Sequence, residues 1–329
     1  MGEGPSSQRS GFLQGRFFIA CGDVCLRCEH SLKSLQRRLI LFAVAVCLVV
    51  LSGLFHAAWN LFAKQSINKT VFLWSLQGAA VIVYLPWAVT AILRVQVPPL
   101  GYGLLFVTVA LHGVYVILLS RTYSRGDLSQ VYPLMRGVSP LLLPIIGVAI
   151  LGERLTGSGW IGVALIVGGI GILGGGKAVG HGEASARRPE IIGTAAWWAL
   201  AVGVAITCYT ALDKITLRYI PAVTLTDASN FGNLLALSWW AARSGAIRIE
   251  WRVNWKPIVL GGVISPGGYL LFLLALQFQP LARLAPMREI GTVFGAILGI
   301  VVLKEPQGRQ RIAASTLIAA GVLILGILG

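Results

Sequence analysis

Charged residues are scarce in this sequence. Only 12% of its 329 residues are charged, whereas 56% are hydrophobic and the mean hydropathy is +0.78. Soluble domains contain about 25% charged residues, which they need to cover a water-exposed surface. The shortage excludes an ordinary soluble protein and predicts a chain that lies mostly in lipid.

Acidic residues are rarer than basic ones, with 12 Asp and Glu against 27 Lys and Arg and a formal net charge of +15. In a soluble chain this excess would suggest nucleic-acid binding. Here the basic residues stand mostly between apolar runs, where they meet lipid headgroups and set the orientation of the spans. We therefore expect membrane lipids as partners, and no nucleic acid.

Motifs for catalysis are missing from the sequence. It contains no Gly-x-x-x-x-Gly-Lys-Ser/Thr loop, no His-Glu-x-x-His and no Asp-x-x-Asp pair of the kind that binds a magnesium diphosphate. Gly157-Ser158-Gly159 is not a nucleophile elbow, because it lacks the strand–turn–helix context of that motif. We predict that the protein is not an enzyme and needs no cofactor.

The five cysteines fall into two groups. Cys47 and Cys208 lie inside apolar runs and are interpreted as small packing residues. Cys21, Cys25 and Cys28, followed by His30, resemble an iron–sulfur loop by their spacing, and a Cys3His set can hold zinc. Because the segment is short and rich in Gly, Ser and Arg, we interpret it as a disordered tail or as sequence upstream of the true start, and predict no metal site.

Ten apolar runs follow this tail, each too long for a buried strand, and only helices or closed barrels can span lipid. The first run is also too long for the apolar core of a secretory signal peptide. A linker rich in Gly, Ser, Pro and charge, 176–190, divides the runs into two sets of five. The runs are 38–64, 70–93, 100–120, 128–151, 156–175, 191–213, 221–242, 256–278, 283–303 and 308–328.

The two sets of five runs resemble each other. At an offset of about 150 residues, FHAAWNLFAK (55–64) aligns with AITCYTALDK (205–214). At an offset of about 152, the segments 132–154 and 284–306 align, so that Met135-Arg136 matches Met287-Arg288 and Glu153 matches Glu305. Such a register indicates a duplication, and we predict a tail at 1–37, a first repeat at 38–175 and a second at 191–329.

A unit with an odd number of spans must cross the membrane in the opposite sense when it is repeated. The predicted fold is therefore an all-α integral membrane protein of about ten transmembrane helices in two inverted five-helix repeats, a plan that places binding sites near the membrane midplane. The orientation of the termini stays open. Basic residues favour an outside N-terminus when the tail is discounted and are nearly balanced when it is counted.

Polar residues inside the apolar runs are the candidate functional residues, because a charge at the centre of a bilayer costs about 2.5–3.5 kcal/mol. Ser52, His56, Asn60 and Lys64 are four residues apart and form one stripe on a helix. Thr210 and Lys214 form a thinner stripe in the matching span. We interpret these stripes as a cavity lining, with a polar seam between helices as the alternative.

Arg136 and Arg288 are the sharpest pair of candidates. Prolines lie close to both, and broken helices beside a charge are a feature of transporter sites. A guanidinium binds carboxylate or phosphate through two parallel hydrogen bonds, which predicts recognition of an anionic group. The alternatives are a structural ion pair or an arginine at the membrane interface. Glu289 adjoins Arg288, but neighbours in sequence do not face each other on a helix, so their pairing is not assured.

The candidate residues form two sets. The predicted solute-binding residues are His56, Trp59, Asn60, Arg136, Tyr209, Thr210 and Arg288. The predicted coupling or gating residues are Lys64, His112, Tyr115, Lys214 and Glu289. By contrast, four acidic residues close to predicted span ends are expected at the interface or in solvent: Asp213, Asp227, Glu153 and Glu305.

Small residues recur every four positions in two spans. They are Gly291, Gly295 and Gly299 in the ninth span and Ala228, Gly232 and Ala236 in the seventh. Such small faces allow helices to approach closely.

Taken together, these features resemble the EamA branch of the drug/metabolite transporter superfamily. The resemblance covers about 38–328 and depends on the 5+5 duplication and on the segments 138–173 and 294–326, with their Gly-Glu or Lys-Glu helix ends and Gly-rich spans. FHAAWNLFAK also resembles the first span of a subgroup associated with phosphonate use. The family has no universal motif that assigns binding residues here, and its cytoplasmic termini disagree with the charge count.

The resemblance implies a secondary carrier, often an exporter of amino acids or other metabolites. We predict an ion-coupled or exchange transporter of a small polar or anionic metabolite in the plasma membrane, with a cavity lined by spans one, three, four, six, eight and nine. Protons or another ion are the expected coupling partner, and the oligomeric state stays open. Two alternatives remain: a membrane-embedded enzyme on a lipid-linked substrate, and a non-transporting membrane receptor or assembly protein.

Overall fold

The computed structural model of the chain describes residues 8–125, 128–174, 189–302 and 309–329, and these are helical with short connections. Its contacts divide the chain into two compact units, Met1–Val44 and Ala45–Gly329. The helices are α1 (Gln8–Gln65), α2 (Lys69–Ile92), α3 (Pro99–Arg125), α4 (Leu128–Ala149), α5 (Gly157–Gly174), α6 (Pro189–Thr216), α7 (Ala222–Arg243), α8 (Ile247–Phe278), α9 (Leu281–Met287), α10 (Ile290–Val301) and α11 (Arg309–Leu328).

Apolar composition explains most of these helices. Five described segments are long and apolar enough to cross a membrane, and three shorter apolar helices accompany them. The five are Leu39–Gln65, Lys69–Ile92, Pro99–Thr122, Trp197–Thr216 and Ile247–Phe278. Helix α7 is less apolar because it carries six Thr, Asp, Ser and Asn side chains between Thr224 and Asn233.

Helix α1 begins earlier than the first apolar run. It starts at Gln8, so most of the segment 1–37, for which the sequence predicts disorder, lies in a helix. No proline follows Pro5 before Gln65, so no residue in this stretch forces the helix to stop. The side chains of Cys21, Cys25 and Cys28, most of the predicted linker 176–190, and Glu305 lie outside the described part of the molecule.

The predicted ninth span is broken into α9 and α10 at Arg288 and Glu289. Pro286 lacks a backbone donor and disturbs the preceding turn. The backbone then closes i→i+3 bonds, from Glu289 N to Pro286 O at 3.0 Å and from Thr292 N to Glu289 O at 2.9 Å. The equivalent helix of the first repeat, α4, is continuous through Arg136 and Pro140.

The contacts between helices reflect the two-fold relation between the repeats. Helix α2 packs on α7 and α5 on α11, and each of these pairs joins equivalent members of the two halves. Helix α3 packs on α6 and α7, and its equivalent α8 packs on α2 and on α1, where Ser52 Oγ donates to Gly268 O at 2.6 Å. Helix α4 packs on α5 and α6, and its equivalents α9 and α10 pack on α11.

Two glycines show this two-fold relation at atomic detail. A Cβ added to Gly53 would lie 2.8 Å from Ile290 Cγ2, and one added to Gly203 would lie 2.5 Å from Val138 Cβ. Gly203 is 150 residues after Gly53, and Ile290 is 152 residues after Val138. The same close approach is therefore made twice, in the register that the sequence alignment predicts.

Candidate functional site

A cavity lies among the helices of the unit Ala45–Gly329. It offers about 110 Å³ to the centres of water-sized molecules, several times the ~10–15 Å³ that one water needs. The described lining residues come from α1, α2, α3, α4, α6, α7, α8 and the α9–α10 break. The sequence predicts a lining from six spans, and the structure adds α2 and α7.

The structure brings most of the predicted residues to this cavity. The lining includes His56, Trp59, His112, Tyr115, Arg136, Tyr209, Thr210, Arg288 and Glu289. Asn60 lines a smaller pocket beside it, which shares six residues with the main cavity. Lys64 and Lys214 line neither pocket.

Arg136 and Glu289 form an ion pair across the two repeats. Arg136 Nε lies 3.3 Å from Glu289 Oε2, and the two side chains are 14% and 8% exposed. Glu289 also accepts from Thr292 Oγ1 at 3.2 Å. The carboxylate that adjoins Arg288 in sequence thus pairs with the arginine of the other repeat.

Arg288 stands at the helix break, between α9 and α10. Its guanidinium carbon lies 4.7 Å from the ring centre of Phe272 and 5.2 Å from that of Tyr269, within cation–π range. Its buried Nε has no hydrogen-bond acceptor among the residues that the structure describes. The guanidinium of Arg288 is therefore in cation–π contact with two rings, while its Nε–H lacks an acceptor among the described residues.

His56 and its neighbours form the α1 wall of the cavity. Trp59 Nε1 donates to His56 Nδ1 at 3.2 Å, and Asn60 Nδ2 donates to His56 O at 2.7 Å. Because an indole N–H only donates, His56 Nδ1 accepts and the imidazole is neutral with its proton on Nε2. Ser52, the first residue of the predicted stripe, bonds to α8 instead of facing the cavity.

Asp213 is buried, whereas the sequence predicts it at the membrane interface. It is 0% exposed and accepts from Thr108 Oγ1 at 3.0 Å, from the Tyr269 hydroxyl, and from His112 Nε2 at 3.1 Å. The network joins α3, α6 and α8 behind the lining residues His112 and Tyr269. The predicted sixth span ends at Asp213, but α6 continues to Thr216.

The rings around this network are packed together. The His112 and Tyr209 ring centres are 4.0 Å apart with planes tilted by 31°, and Tyr115 meets Tyr209 edge to face at 5.3 Å. Aromatic walls with a few polar groups are typical of small-molecule pockets.

Amide side chains on α2 and α7 are lining residues that the sequence analysis did not select. Gln77, Asn230 and Asn233 face the cavity, together with Ser229. Asp227, expected at the interface, is also buried, at 5% exposure. Their positions inside apolar helices are the same signal that identified His56, so intramembrane polarity alone could have found them.

Two charged residues that the sequence placed elsewhere act at helix ends. Glu153, expected in solvent, accepts from Leu281 N at 2.8 Å and from Ala282 N at 2.7 Å, and so caps α9. Lys214 Nζ donates to Leu276 O and Gln279 O at the end of α8. These contacts give Lys214 a structural part, whereas its predicted coupling role stays untested.

The charged groups of the cavity can bind a polar solute. Two arginines and one carboxylate face the cavity, together with His56 and His112. The net positive charge of these groups, set in a site with aromatic walls, favours an anionic group.

Comparisons with known proteins agree with this architecture. The model of the family described as EamA-like transporter family matches residues 43–175 and again 193–327. A protein known from a crystal structure has a TM-score of 0.62 and 16% sequence identity, covering 88% of this chain and 96% of its own. That likeness concerns the fold alone. No curated protein matches the sequence significantly.

Proposed function

This chain belongs to the EamA-like transporter family, and from that premise we propose that it is a secondary carrier of a small polar or anionic metabolite. It is an all-α, multi-pass membrane protein of the drug/metabolite transporter type, built from two five-helix repeats. The proposed solutes are amino acids or other organic anions. The proposed direction is efflux across the plasma membrane, driven by protons, another ion or exchange.

The observation that carries the proposal is that Arg288 lines the cavity with a buried Nε that has no acceptor among the described residues. A guanidinium has five N–H donors and stays charged in proteins. Burying it with a donor unsatisfied costs free energy unless a partner arrives. A carboxylate or phosphonate supplies two acceptors and one or two negative charges, which match the fork of the guanidinium.

The ion pair between Arg136 and Glu289 gives the proposal a mechanism. It joins the two repeats at the cavity, and an incoming anion would compete with Glu289 for the guanidinium of Arg136. Rocking of one repeat against the other would then expose the cavity to alternate sides. His56 and Asn60 would contact the solute, and His112, held by Asp213, is the proposed proton-coupling residue.

The experiment uses the purified full chain. A thermal-shift screen against amino acids, phosphonates and organic anions identifies solutes, since a ligand that prefers the folded state raises its apparent stability. Transport of each hit is then measured in proteoliposomes with Arg288→Ala, Arg288→Lys and Arg136→Ala. Arg243→Ala, an exposed arginine over Trp239 at the end of α7, is the matched control.

We expect Arg288→Ala to abolish anion-dependent stabilisation and transport, because a bidentate charged contact contributes about 1.5–3 kcal/mol or more. Arg288→Lys should restore the charge but only part of the affinity, since an ammonium lacks the planar fork. Wild-type transport in both Arg288→Ala and Arg136→Ala would contradict the proposed roles.

A further inference from the structure

The cavity has a second polar wall, made by amides instead of charges. Gln77 on α2 and Asn230 and Asn233 on α7 are 9%, 8% and 7% exposed, and all three line the cavity. Gln77 Oε1, Asn230 Nδ2 and Asn233 Oδ1 lack hydrogen-bond partners within the described residues. Buried amides are normally satisfied, so each of these atoms needs an explanation.

This wall and the arginines stand on different parts of the bundle. Helices α2 and α7 pack on each other and on α8, and α7 also packs on α3. Arg136 and Arg288 come from α4 and the α9–α10 break, and α4 packs on α5, α6 and α9. One cavity is thus bounded by a charged wall and by a neutral wall rich in donors and acceptors.

Helix α7 is packed between α2 and α3. A Cβ added to Gly78 would meet Leu234 at 3.6 Å, and one added to Gly232 would meet Val109 O on α3 at 2.8 Å. Asn230 and Asn233 are therefore held on a helix that is fixed from two sides. Ser229 Oγ already donates to Leu225 O at 2.8 Å, so its donor is used.

We propose that Gln77, Asn230 and Asn233 form a subsite for the uncharged polar end of the solute, and that this end carries hydroxyl or carboxamide groups. Each amide offers both a donor and an acceptor, and a hydroxyl or carboxamide can answer both. A hydrocarbon end would leave these buried atoms unpaired, which would weaken binding. The proposal depends on the proposed function, because it describes the other end of an anion held by Arg288.

The test uses pairs of anions that differ only in hydroxyl groups: glycerate with propanoate, and threonate with butanoate. Affinity is read from thermal stabilisation and from inhibition of transport in proteoliposomes. Wild type should prefer the hydroxylated member of each pair by about tenfold, which is the effect of roughly two net hydrogen bonds. Gln77→Met and Asn230→Leu, of similar size and on different helices, should each reduce that preference to less than about threefold.

The control is Ser75→Ala on α2, which removes a buried hydroxyl that has no hydrogen-bond partner among the described residues and does not line the cavity. It should keep the wild-type preference. Binding that depends on Arg288 but shows no hydroxyl preference, or a preference that survives in Gln77→Met and Asn230→Leu, would overturn the subsite alone. If none of the four anions binds while other anions of the screen bind through Arg288, the subsite alone is wrong. If no anion of the screen binds in an Arg288-dependent way, the proposed function fails and the subsite fails with it.

Discussion

Replacing Glu153 with alanine removes both side-chain acceptors that cap α9. The backbone N–H groups of Leu281 and Ala282 donate to the two carboxylate oxygens at 2.8 and 2.7 Å. The N-cap residue itself, Pro280, supplies no side-chain cap. A hydrogen bond to a charged group contributes about 1.5–3 kcal/mol, and because Glu153 is only half-buried we reduce the pair to about 2 kcal/mol in total.

The assay is thermal unfolding of the purified chain together with transport in proteoliposomes. A loss of about 2 kcal/mol should lower the Tm of Glu153→Ala by about 4–8 °C. Glu153→Gln keeps one acceptor and should lose about half as much. Transport should fall as well, because α9 leads directly into Arg288.

The neighbouring residue provides the control for this prediction. Arg154 is exposed in the same connection between α4 and α5, and Arg154→Ala should change the Tm by no more than about 1 °C, as expected of a surface substitution. A Tm for Glu153→Ala equal to that of the wild type would refute the inference that the carboxylate holds α9 in place.

Two further substitutions test packing and the buried network. Gly291→Ala would place a Cβ 2.9 Å from Gly53 O and should lower the Tm by several degrees. Gly295→Ala has open space around it and should be neutral or slightly stabilising. Equal effects of the two substitutions on the Tm would contradict the packing argument. Asp213→Asn leaves one acceptor oxygen for three donors and should lower both Tm and transport, and an unchanged Tm would show that the link to His112 contributes little.

The helices and the repeat were predictable because their signals are local. A run of apolar residues long enough to span lipid is visible in any window, and the family and fold predictions are confirmed by the match to both halves. The alignment register of the repeats also reappears, in the paired contacts of Gly53 and Gly203. The break of the ninth span was signalled by Pro286, but α4 has prolines too and stays helical.

The partners of individual charges could not be predicted, because they come from distant parts of the chain. In the sequence Glu153 resembles a solvated helix end. In the structure it accepts from the backbone N–H groups of Leu281, 128 positions away, and of Ala282. Asp213 looked like an interface residue because the apolar run ends there, whereas α3 and α8 enclose it. The amides of α7 were missed, although their polarity inside an apolar run is the same signal that identified His56. The binding and coupling roles of the candidate residues stay predictions.

The ion pair between Arg136 and Glu289 has a consequence for energetics. The repeat equivalent of Glu289 is Gly137, so Arg288 has no mirror-image partner in the first half. A carrier with perfectly equivalent halves would have isoenergetic inward-facing and outward-facing end states. The Arg136–Glu289 pair has no two-fold equivalent, so we expect it to contribute to an energy difference between the two end states and to bias the empty protein toward one of them.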